Sequence, residues 1–310
     1  MNNNTKTLPE LEGHIVSYSE HGNLNGPAIL SFHGGPGSKS KPYHAERFDL
    51  EKYRVVLFDQ RGCGESAPLG ELKNNETDKL LEDAERIREA LGIESWFVSG
   101  GSWGSTCALL YAIKYSDRVR GLLLSALFLG DRDSINWSFG EGGASVIMSD
   151  VWNRRMEFFA KYDITVENQN EKILELLKDG DEETKKDITA GVFNWEGNLF
   201  SPMDSVHYQE AEDIDEKDVA SAKIFVHYES NHEFIPDNYI LDNTDKLSEI
   251  PCMVVHGRYD ILCPLSKAVL LQEKMANCKL VIADSSGHKL SAEGKVIQEL
   301  AFEQLLKEHS

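Results

Sequence analysis

Residues 98–105 read Val-Ser-Gly-Gly-Ser-Trp-Gly-Ser and contain the pattern Gly-x-Ser-x-Gly, with Ser102 at its centre. An apolar run (96–98) comes directly before the pattern, and a run of helical character (106–115) comes directly after it. A strand, a sharp turn and a helix in this order hold a serine in a strained conformation. The flanking positions must be small because the strand and the helix pass close together. The stretch therefore predicts that Ser102 is a nucleophile.

Short apolar runs of strand length alternate with helical patterns on both sides of this stretch. Because such runs suit strands buried on both faces, we expect an α/β fold with a mostly parallel central sheet flanked by helices. The predicted strands are 14–19, 28–33, 54–59, 96–99, 119–126, 251–256 and 279–283, and the predicted helices are 76–91, 105–115, 265–276 and 292–307.

The alternation breaks in the middle of the chain. Residues 131–240 are rich in Trp and Phe, mostly helical in period, and hold 25 Asp and Glu against 10 Lys and Arg, a net charge of −15. The favoured explanation of this acidity is that it keeps the protein soluble. The alternative explanation is that it attracts a cationic substrate. We therefore expect a discontinuous core domain (1–129 and 241–310) with a helical cap domain (130–240) inserted into it.

The composition excludes several kinds of partner. The net charge of −20 disfavours nucleic acid and anionic membrane surfaces, and no apolar stretch approaches the roughly 20 residues of a membrane span. The polar start at 1–6 lacks the apolar core of a signal peptide. The 5 cysteines are scattered and give no zinc or disulfide pattern. We expect a cytoplasmic protein that uses no metal and no cofactor.

Two further residues complete a candidate catalytic set with Ser102. A serine hydroxyl becomes a good nucleophile when a histidine takes its proton and a carboxylate orients that histidine. Asp260 follows the predicted strand 251–256, and His288 follows the predicted strand 279–283. The order serine, aspartate, histidine, each after a strand, is typical of the α/β-hydrolase fold. The sequence therefore predicts a catalytic triad of Ser102, Asp260 and His288.

The oxyanion that forms on the attacked carbonyl group requires hydrogen-bond donors. The backbone N–H of Trp103, the residue after the nucleophile, is one candidate. Gly35 is the other, in the loop His-Gly-Gly-Pro-Gly (33–37), where glycine lets the backbone approach the substrate. This loop lacks both the Gly-Lys-Ser/Thr ending of a P-loop and the Gly-x-Gly-x-x-Gly spacing, which disfavours phosphate binding.

Four stretches together resemble the proline iminopeptidases (prolyl aminopeptidases), serine peptidases on the α/β-hydrolase fold. The resemblance implies an enzyme that removes an N-terminal residue, preferably proline, from a peptide without a metal. The stretches are His-Gly-Gly-Pro-Gly (33–37), Asp-Gln-Arg-Gly-Cys-Gly-Glu-Ser (59–66), Gly-Gly-Ser-Trp-Gly-Ser (100–105) and His-Gly-Arg-Tyr-Asp (256–260), with Gly287-His288 after them.

The resemblance also implies that glutamates of the cap bind the free α-ammonium group of the substrate. Glu196 matches the first of these glutamates. The second is expected two residues before the His-Tyr pair at 227–228, where this chain has Phe225. Glu229 or Glu233, on the same segment, can supply the missing carboxylate, and the equally weighted alternative is that both lie on a solvated helix face.

Aromatic side chains of the acidic segment and just before it are candidates for the wall of a pyrrolidine pocket. Most of them also suit the core of the cap, so we expect only one or two at the pocket. The candidates are Phe128, Trp137 and Trp195, with Phe139 and Phe193 as further possibilities.

Two other functions stay open at this point. The substitution of Phe225 for an acidic residue favours a carboxylesterase or amide hydrolase that acts on substrates without a free amine. A non-catalytic binding protein on the same scaffold is the other alternative, and the apparently intact triad disfavours it. An epoxide hydrolase or haloalkane dehalogenase is disfavoured because those enzymes place aspartate where this chain has Ser102.

Overall fold

The computed structural model describes residues 5–202 and 204–309. Residues 1–4, part of the polar start on which the expectation of no signal peptide rests, lie outside the described residues. Within the described ranges eight strands form one sheet. The strands are β1 (Thr5–Thr7), β2 (Ser17–Gly22), β3 (Ala28–Phe32), β4 (Arg54–Phe58), β5 (Trp96–Ser102), β6 (Val119–Leu127), β7 (Cys252–Gly257) and β8 (Cys278–Ala283).

Twelve α-helices accompany the sheet in the described residues. None of the helices in 5–202 and 204–309 combines the length and the apolar character that crossing a membrane requires. The helices are α1 (Tyr43–Glu46), α2 (Thr77–Ala90), α3 (Trp103–Lys114), α4 (Arg132–Phe139), α5 (Ala144–Ile147), α6 (Ser149–Phe159), α7 (Gln169–Asp179), α8 (Glu182–Phe200), α9 (Glu216–Ser230), α10 (Tyr239–Asp242), α11 (Leu265–Lys274) and α12 (Ala292–His309).

The sheet has the order β1-β2-β4-β3-β5-β6-β7-β8. The first two strands pair antiparallel, and all pairs from β4 to β8 are parallel. Parallel neighbours need crossover connections, and the helices that follow β4, β5 and β7 supply them. The prediction of a mostly parallel sheet flanked by helices is confirmed. Parallel pairing also brings the carboxyl ends of β5, β7 and β8 to one edge.

The central strands bury both faces because apolar residues occupy successive positions. Leu30, Val98 and Leu122 point into the cluster formed with α2 and α3. Ile29 and Phe97 point to the opposite face, into the cluster that contains the apolar side of α12. Successive side chains of a strand point to opposite faces, so this continuous apolar pattern requires a helical layer on each side.

The helices α4 to α10 all lie between β6 and β7 in the sequence. Part of this segment has a hydrophobic cluster of its own, centred on Phe159, Ile188 and Phe225. Some of its acidic residues begin helices. The side chain of Asp131 accepts from the backbone N–H of residue 134, and Asp215 does the same for residues 217 and 218. The acidity of the segment therefore has a partly structural origin.

The structure differs from the predicted elements at the amino-terminal side of the sheet. β1 and α1 were not predicted, and β2 covers Ser17–Gly22 rather than 14–19. Residues 14 and 15 form only isolated bridges, with Leu11 and Ala67, so continuous pairing with β4 begins later. The hydrophobic pattern did not reveal this because the pairing partner, and not the side-chain alternation, sets where this strand begins.

Candidate active site

Ser102 ends β5 and directly precedes α3. Its backbone has φ 56° and ψ −131°, a strained conformation for a residue with a side chain. Two glycines make the turn possible. A Cβ on Gly100 would collide with the backbone oxygen of Gly104, and a Cβ on Gly104 would collide with that of Phe32. The sequence Gly-x-Ser-x-Gly thus produces the turn because larger residues would push the helix away from the strands.

Asp260 and His288 form a buried hydrogen-bonded pair after β7 and β8. Nδ1 of His288 lies 2.9 Å from Oδ2 of Asp260 and 3.1 Å from Oδ1. The carboxylate is itself held in place, because Oδ1 accepts from the backbone N–H groups of Leu262 (3.1 Å) and Cys263 (2.7 Å). With a proton on Nδ1, His288 donates a hydrogen bond to Asp260. Its Nε2 is then unprotonated and available to accept a hydrogen bond from a hydroxyl group.

The surroundings of His288 favour its charged form. Burial opposes the imidazolium, but the Asp260 carboxylate outweighs this effect and Glu196 adds to it, so the pKa of His288 is raised. In residues 5–202 and 204–309 the hydrogen bonds of this side chain go to Asp260 alone. Ser102 lines the same cavity as His288, and catalytic hydrogen bonds of this kind often tighten only when substrate binds.

The predicted oxyanion donors lie on two loops beside Ser102. Gly35 lines the cavity that Ser102 lines, and its φ of 115° is one that residues with side chains rarely adopt. Trp103 is the first residue of α3. Its backbone N–H therefore belongs to the helix N-terminus, where these groups have no partner within the helix. Both N–H groups suit the donor role that the sequence predicts.

Gln60 links these two loops, and the sequence analysis did not single it out. Its side-chain Nε2 donates to the backbone oxygen of His33 at 3.0 Å, and its Oε1 accepts from the indole Nε1 of Trp103 at 3.0 Å. Its backbone N–H donates to Nε2 of His33, also at 3.0 Å. One feature of the sequence pointed to Gln60. It lies directly after β4, in the stretch 59–66 that carries the family resemblance.

Two charged residues of the same stretch hold loops in place. Asp59 accepts from the backbone N–H groups of Ser40 (2.7 Å) and Glu65 (2.8 Å). Arg61 is buried and forms ion pairs of 2.6 Å with Asp83 and 3.0 Å with the carboxylate at position 12. These contacts fasten the loop after β4 to α2 and to the amino-terminal part of the chain.

A cavity of about 790 Å³ lies over Ser102 and His288. Three aromatic residues of the inserted helices form part of its wall: Phe193 and Phe200 of α8, and Phe225 of α9. The ring of Phe200 also packs edge-on against the imidazole of His288, with ring centres 5.0 Å apart. The volume and the mixture of apolar walls with a few polar groups are typical of a small-molecule or peptide site.

Of the aromatic candidates for the pocket wall, Phe193 lines the cavity, whereas the structure places three others elsewhere. Phe128, Trp137 and Trp195 are not among the residues that line this cavity. Trp195 is 1% exposed and donates its indole N–H to the backbone oxygen of Ser138 at 2.8 Å. Trp137 makes a similar bond of 2.8 Å to the backbone oxygen of Ile261. The indole N–H groups of both tryptophans are thus already bonded to the backbone, and Phe128 is buried in the core.

The three predicted carboxylates, by contrast, lie close enough to influence one another. Glu196 lines the cavity, where burial raises its pKa and His288 opposes the rise. Burial also raises the pKa of Glu229 to about 7; Arg155 opposes this change and Glu196 adds to it. Burial raises the pKa of Glu233 well above its usual value, and the neighbouring Glu229 adds to the rise. We call Glu196, Glu229 and Glu233, which influence one another in this order, the acidic row; of the three, Glu196 lines the cavity.

The alternative of a solvated helix face for Glu229 and Glu233 is wrong, because they are only 8% and 4% exposed. One oxygen of Glu233, Oε2, is buried without a hydrogen-bond partner in the described residues. Several carboxylates in a buried site repel one another and are costly to ionise. A cation in this site would therefore be bound strongly, since it would pair with groups that lack sufficient partners of their own.

Asp260, Cys263 and His288 also have the spacing of a metal site, with ligand atoms within 4.8 Å of one another. The aspartate and the histidine are already bonded to each other. Burial raises the pKa of the Cys263 thiol well above its usual value, which keeps it protonated and a poor ligand. The donor set therefore suits the hydrogen-bonded pair of a hydrolase better than a metal centre.

A serine on a strained strand-to-helix turn, facing a cavity with a buried aspartate–histidine pair, defines an α/β hydrolase. The chain matches the family model of the alpha/beta hydrolase fold over residues 27–295. Solved structures have the same fold. An esterase from Exiguobacterium antarcticum superposes with a TM-score of 0.63 at 18% identity and covers 97% of this chain and 98% of its own. The structure of epoxide hydrolases from hot-environment metagenomes superposes with a TM-score of 0.64 at 18% identity and covers 99% of each chain.

Proline iminopeptidases from several organisms are much more similar in sequence. That of Arabidopsis thaliana is 38% identical over 290 residues, which is 91% of this chain and 74% of that protein. That of Xylella fastidiosa (strain 9a5c) is 35% identical over 284 residues, 89% of this chain and 88% of that protein. The chain therefore belongs to the proline iminopeptidase family of α/β hydrolases.

Proposed function

We propose that this chain is a serine exopeptidase that releases an N-terminal residue, preferably proline, from peptides through an acyl-enzyme on Ser102. The observation that carries this proposal is the acidic row of Glu196, Glu229 and Glu233 beside the cavity of Ser102 and His288. A nucleophile alone indicates only a hydrolase. A nucleophile next to buried acidic groups that are costly to ionise without a cation indicates a substrate that brings a positive charge close to the bond that is cleaved.

The chemistry follows from the arrangement of the triad. Ser102 Oγ attacks the carbonyl carbon of the N-terminal residue while His288 Nε2 takes its proton, and Asp260 stabilises the imidazolium that forms. The oxyanion accepts hydrogen bonds from the backbone N–H groups of Gly35 and Trp103. His288 then returns the proton to the leaving amine of the shortened peptide. Water hydrolyses the acyl-enzyme by the same steps, with His288 as base and then acid.

Glu196 is the first anchor for the substrate's α-ammonium group, because it lines the cavity and interacts with His288. Glu229 and Glu233 supply the second carboxylate in place of the one absent at Phe225. Charge-assisted hydrogen bonds to the ammonium fix the distance between the amine and Ser102, so that only the first peptide bond reaches the nucleophile. The rings of Phe193, Phe200 and Phe225 provide an apolar wall for the pyrrolidine ring.

The organisation of the chain supports this division of tasks. We assign the triad and the oxyanion loops to a discontinuous core domain (1–129 and 241–310), and the amine site to an inserted cap domain (130–240). The five cysteines are free and buried, which suits a reducing compartment and therefore a cytoplasmic location. The substrate is a peptide with a free N-terminus, and the chemistry requires no metal and no cofactor.

A paired hydrolysis assay tests the proposed function. Purified protein is given proline p-nitroanilide, its N-acetylated form and a p-nitrophenyl ester, with Ser102→Ala as the control. We expect rapid release from the free-amine anilide, little or none from the blocked anilide, and no turnover by Ser102→Ala. Equal rates for the free and the blocked anilide would contradict the exopeptidase assignment.

A carboxylesterase or amide hydrolase is the second candidate, and Phe225 is the observation that favours it. This apolar side chain lines the cavity where the resemblance implies an acidic one. The same assay separates the candidates, because an esterase would hydrolyse the p-nitrophenyl ester and neither anilide.

A further inference from the structure

The cavity that contains Ser102 continues beyond the catalytic groups. It passes Gly101 and Ser125 and reaches Arg47, at the end of α1, and Gln298 of α12. Gly101 and Ser125 lie at the carboxyl ends of β5 and β6, and both are small, which leaves room between the sheet and these two helices. The wall of this one cavity therefore includes both Glu196 of the inserted helices and Arg47.

Arg47 is a cation without an acidic partner. Its Nη2 donates to the hydroxyl oxygens of Ser31 (2.9 Å) and Ser99 (3.0 Å), and its Nε is buried with no hydrogen-bond partner in the described residues. No ion pair to Arg47 occurs in 5–202 or 204–309. Burial lowers its pKa to about 10, so the guanidinium still carries its charge at neutral pH. Arg47 is itself only partly buried, so a ligand in the cavity can reach a charge that has no counter-ion of its own.

The wall of the cavity carries cations as well as carboxylates. The cations are Lys41, Arg47, Lys289 and Lys295, and the carboxylates are Glu46, Glu196 and Glu299. Lys289 is already paired with Asp204 at 3.2 Å. In a chain of net charge −20 this wall is unusual, because its cations outnumber its anions. A short peptide with a free amine and a free carboxylate complements a wall that offers both Glu196 and Arg47.

The spacing fits a peptide of a few residues. Ser99, which holds the guanidinium, precedes Ser102 by three positions on β5, and three residues of a strand span about 10 Å. An extended peptide advances by about the same length per residue. A carboxylate that is two or three residues beyond the cleaved bond therefore reaches Arg47 when the carbonyl carbon lies at Ser102.

We propose that Arg47 binds the C-terminal carboxylate of the substrate, so that the enzyme prefers tripeptides and tetrapeptides with a free carboxyl end. This inference rests on the proposed exopeptidase function and adds a second anchor to it. The guanidinium offers N–H donors in a planar fork that matches the two oxygens of a carboxylate. Ser31 and Ser99 hold the fork in place from behind.

The test compares Pro-Gly-Gly and Pro-Gly-Gly-Gly with the same peptides carrying C-terminal amides, by kcat/KM on the wild-type protein. A charge-assisted contact of this kind predicts about a tenfold or greater preference for the acids. Equal kcat/KM for acids and amides, with normal cleavage of proline p-nitroanilide, would overturn the carboxylate subsite and leave the proposed function intact. Failure to cleave the anilide and the peptides alike would overturn both.

Variants localise the effect. Arg47→Met should reduce the acid-to-amide ratio to about one, and Arg47→Lys should keep part of the preference because it keeps the charge. Lys39→Met is the matched control, since Lys39 is an exposed cation in the loop before α1 and is not among the residues that line the cavity; its ratio should equal that of the wild type. A ratio unchanged in Arg47→Met would also overturn the proposal. The wild-type comparison decides the matter even if the Arg47 variants fold poorly.

Discussion

Trp103 donates its indole N–H to the side-chain oxygen of Gln60 at 3.0 Å. Trp103 is fully buried, and Gln60 is 2% exposed. Because the same amide group also donates to the backbone oxygen of His33, a single side chain sets the spacing between the turn that carries the nucleophile and the loop that carries Gly35. The proposed oxyanion site of Gly35 and Trp103 would thus be held by a buried polar contact as well as by glycine geometry.

Replacing Gln60 should impair the chemical step more than substrate binding. We expect Gln60→Met to lower kcat about tenfold or more while KM changes by less than about twofold, since loss of an oxyanion donor itself costs on the order of 10²–10³ in kcat. Gln60→Glu keeps the acceptor for Trp103 but loses the donor to His33. Its kcat should therefore lie between those of the wild type and Gln60→Met. If Gln60→Met and Gln60→Glu instead lose the same amount of kcat, and lose thermal stability in parallel, the role of Gln60 is purely structural.

Asp260 should control the pH dependence of the reaction. His288 acts as a base only when it is neutral, so kcat/KM falls as the pH drops below its pKa. That pKa is raised chiefly because the Asp260 carboxylate outweighs the effect of burial. In Asp260→Asn we expect kcat to fall by roughly 10³–10⁴ and the acid limb of the residual kcat/KM to move to lower pH. The wild type and Asp260→Asn are measured with the same substrate. The titration of the substrate's amine then affects both pH profiles equally and drops out of their comparison.

Glu229 should make the folded protein less stable as the pH rises. Its pKa is about 7 in the folded state against an ordinary value of 4.5, so the unfolded chain releases this proton first. Between these values the folded state therefore loses stability with rising pH, by about 3 kcal/mol in all. The groups that face it are Arg155, which opposes the shift, and Glu196 and Glu233, which repel its charge.

Glu229→Gln removes this titration. Relative to the wild type, the variant should gain up to about 3 kcal/mol of unfolding free energy on going from pH 5 to pH 8. Denaturant unfolding at both pH values measures the difference. A stability difference between variant and wild type that is the same at pH 5 and pH 8 would mean that Glu229 is ionised in the folded protein like an ordinary surface carboxylate.

The glycines of the serine turn should be intolerant of alanine. In Gly100→Ala the new Cβ meets the backbone of Gly104, so we expect a loss of several kcal/mol or a failure to fold. Gly197→Ala is the matched control, because nothing lies within 4 Å of its Cβ position in α8. There alanine should stabilise the helix by about 0.5–1 kcal/mol. Similar effects in both variants, measured by thermal unfolding, would contradict this steric account.

The sequence predicted the sheet and the positions of the candidate triad because both depend on local patterns. Continuous apolar runs mark the parallel strands, and Asp260 and His288 each follow such a run. The same reasoning failed for Trp195 and Trp137, because an aromatic residue suits a pocket and a core equally well and only long-range packing decides between them. Gln60 and Arg47 were missed for a related reason. Their importance comes from contacts with Trp103 and Ser99, which are distant in the sequence.

The central claim is that carboxylates of the inserted helices bind the substrate's amine and thereby select the first peptide bond. The most direct measurement is kcat/KM for proline p-nitroanilide and for its N-acetylated form, in the wild type and in Glu196→Gln. The account predicts a large preference of the wild type for the free amine, and a loss of roughly tenfold or more of that preference in the variant, mainly through KM. An unchanged preference in Glu196→Gln would contradict it.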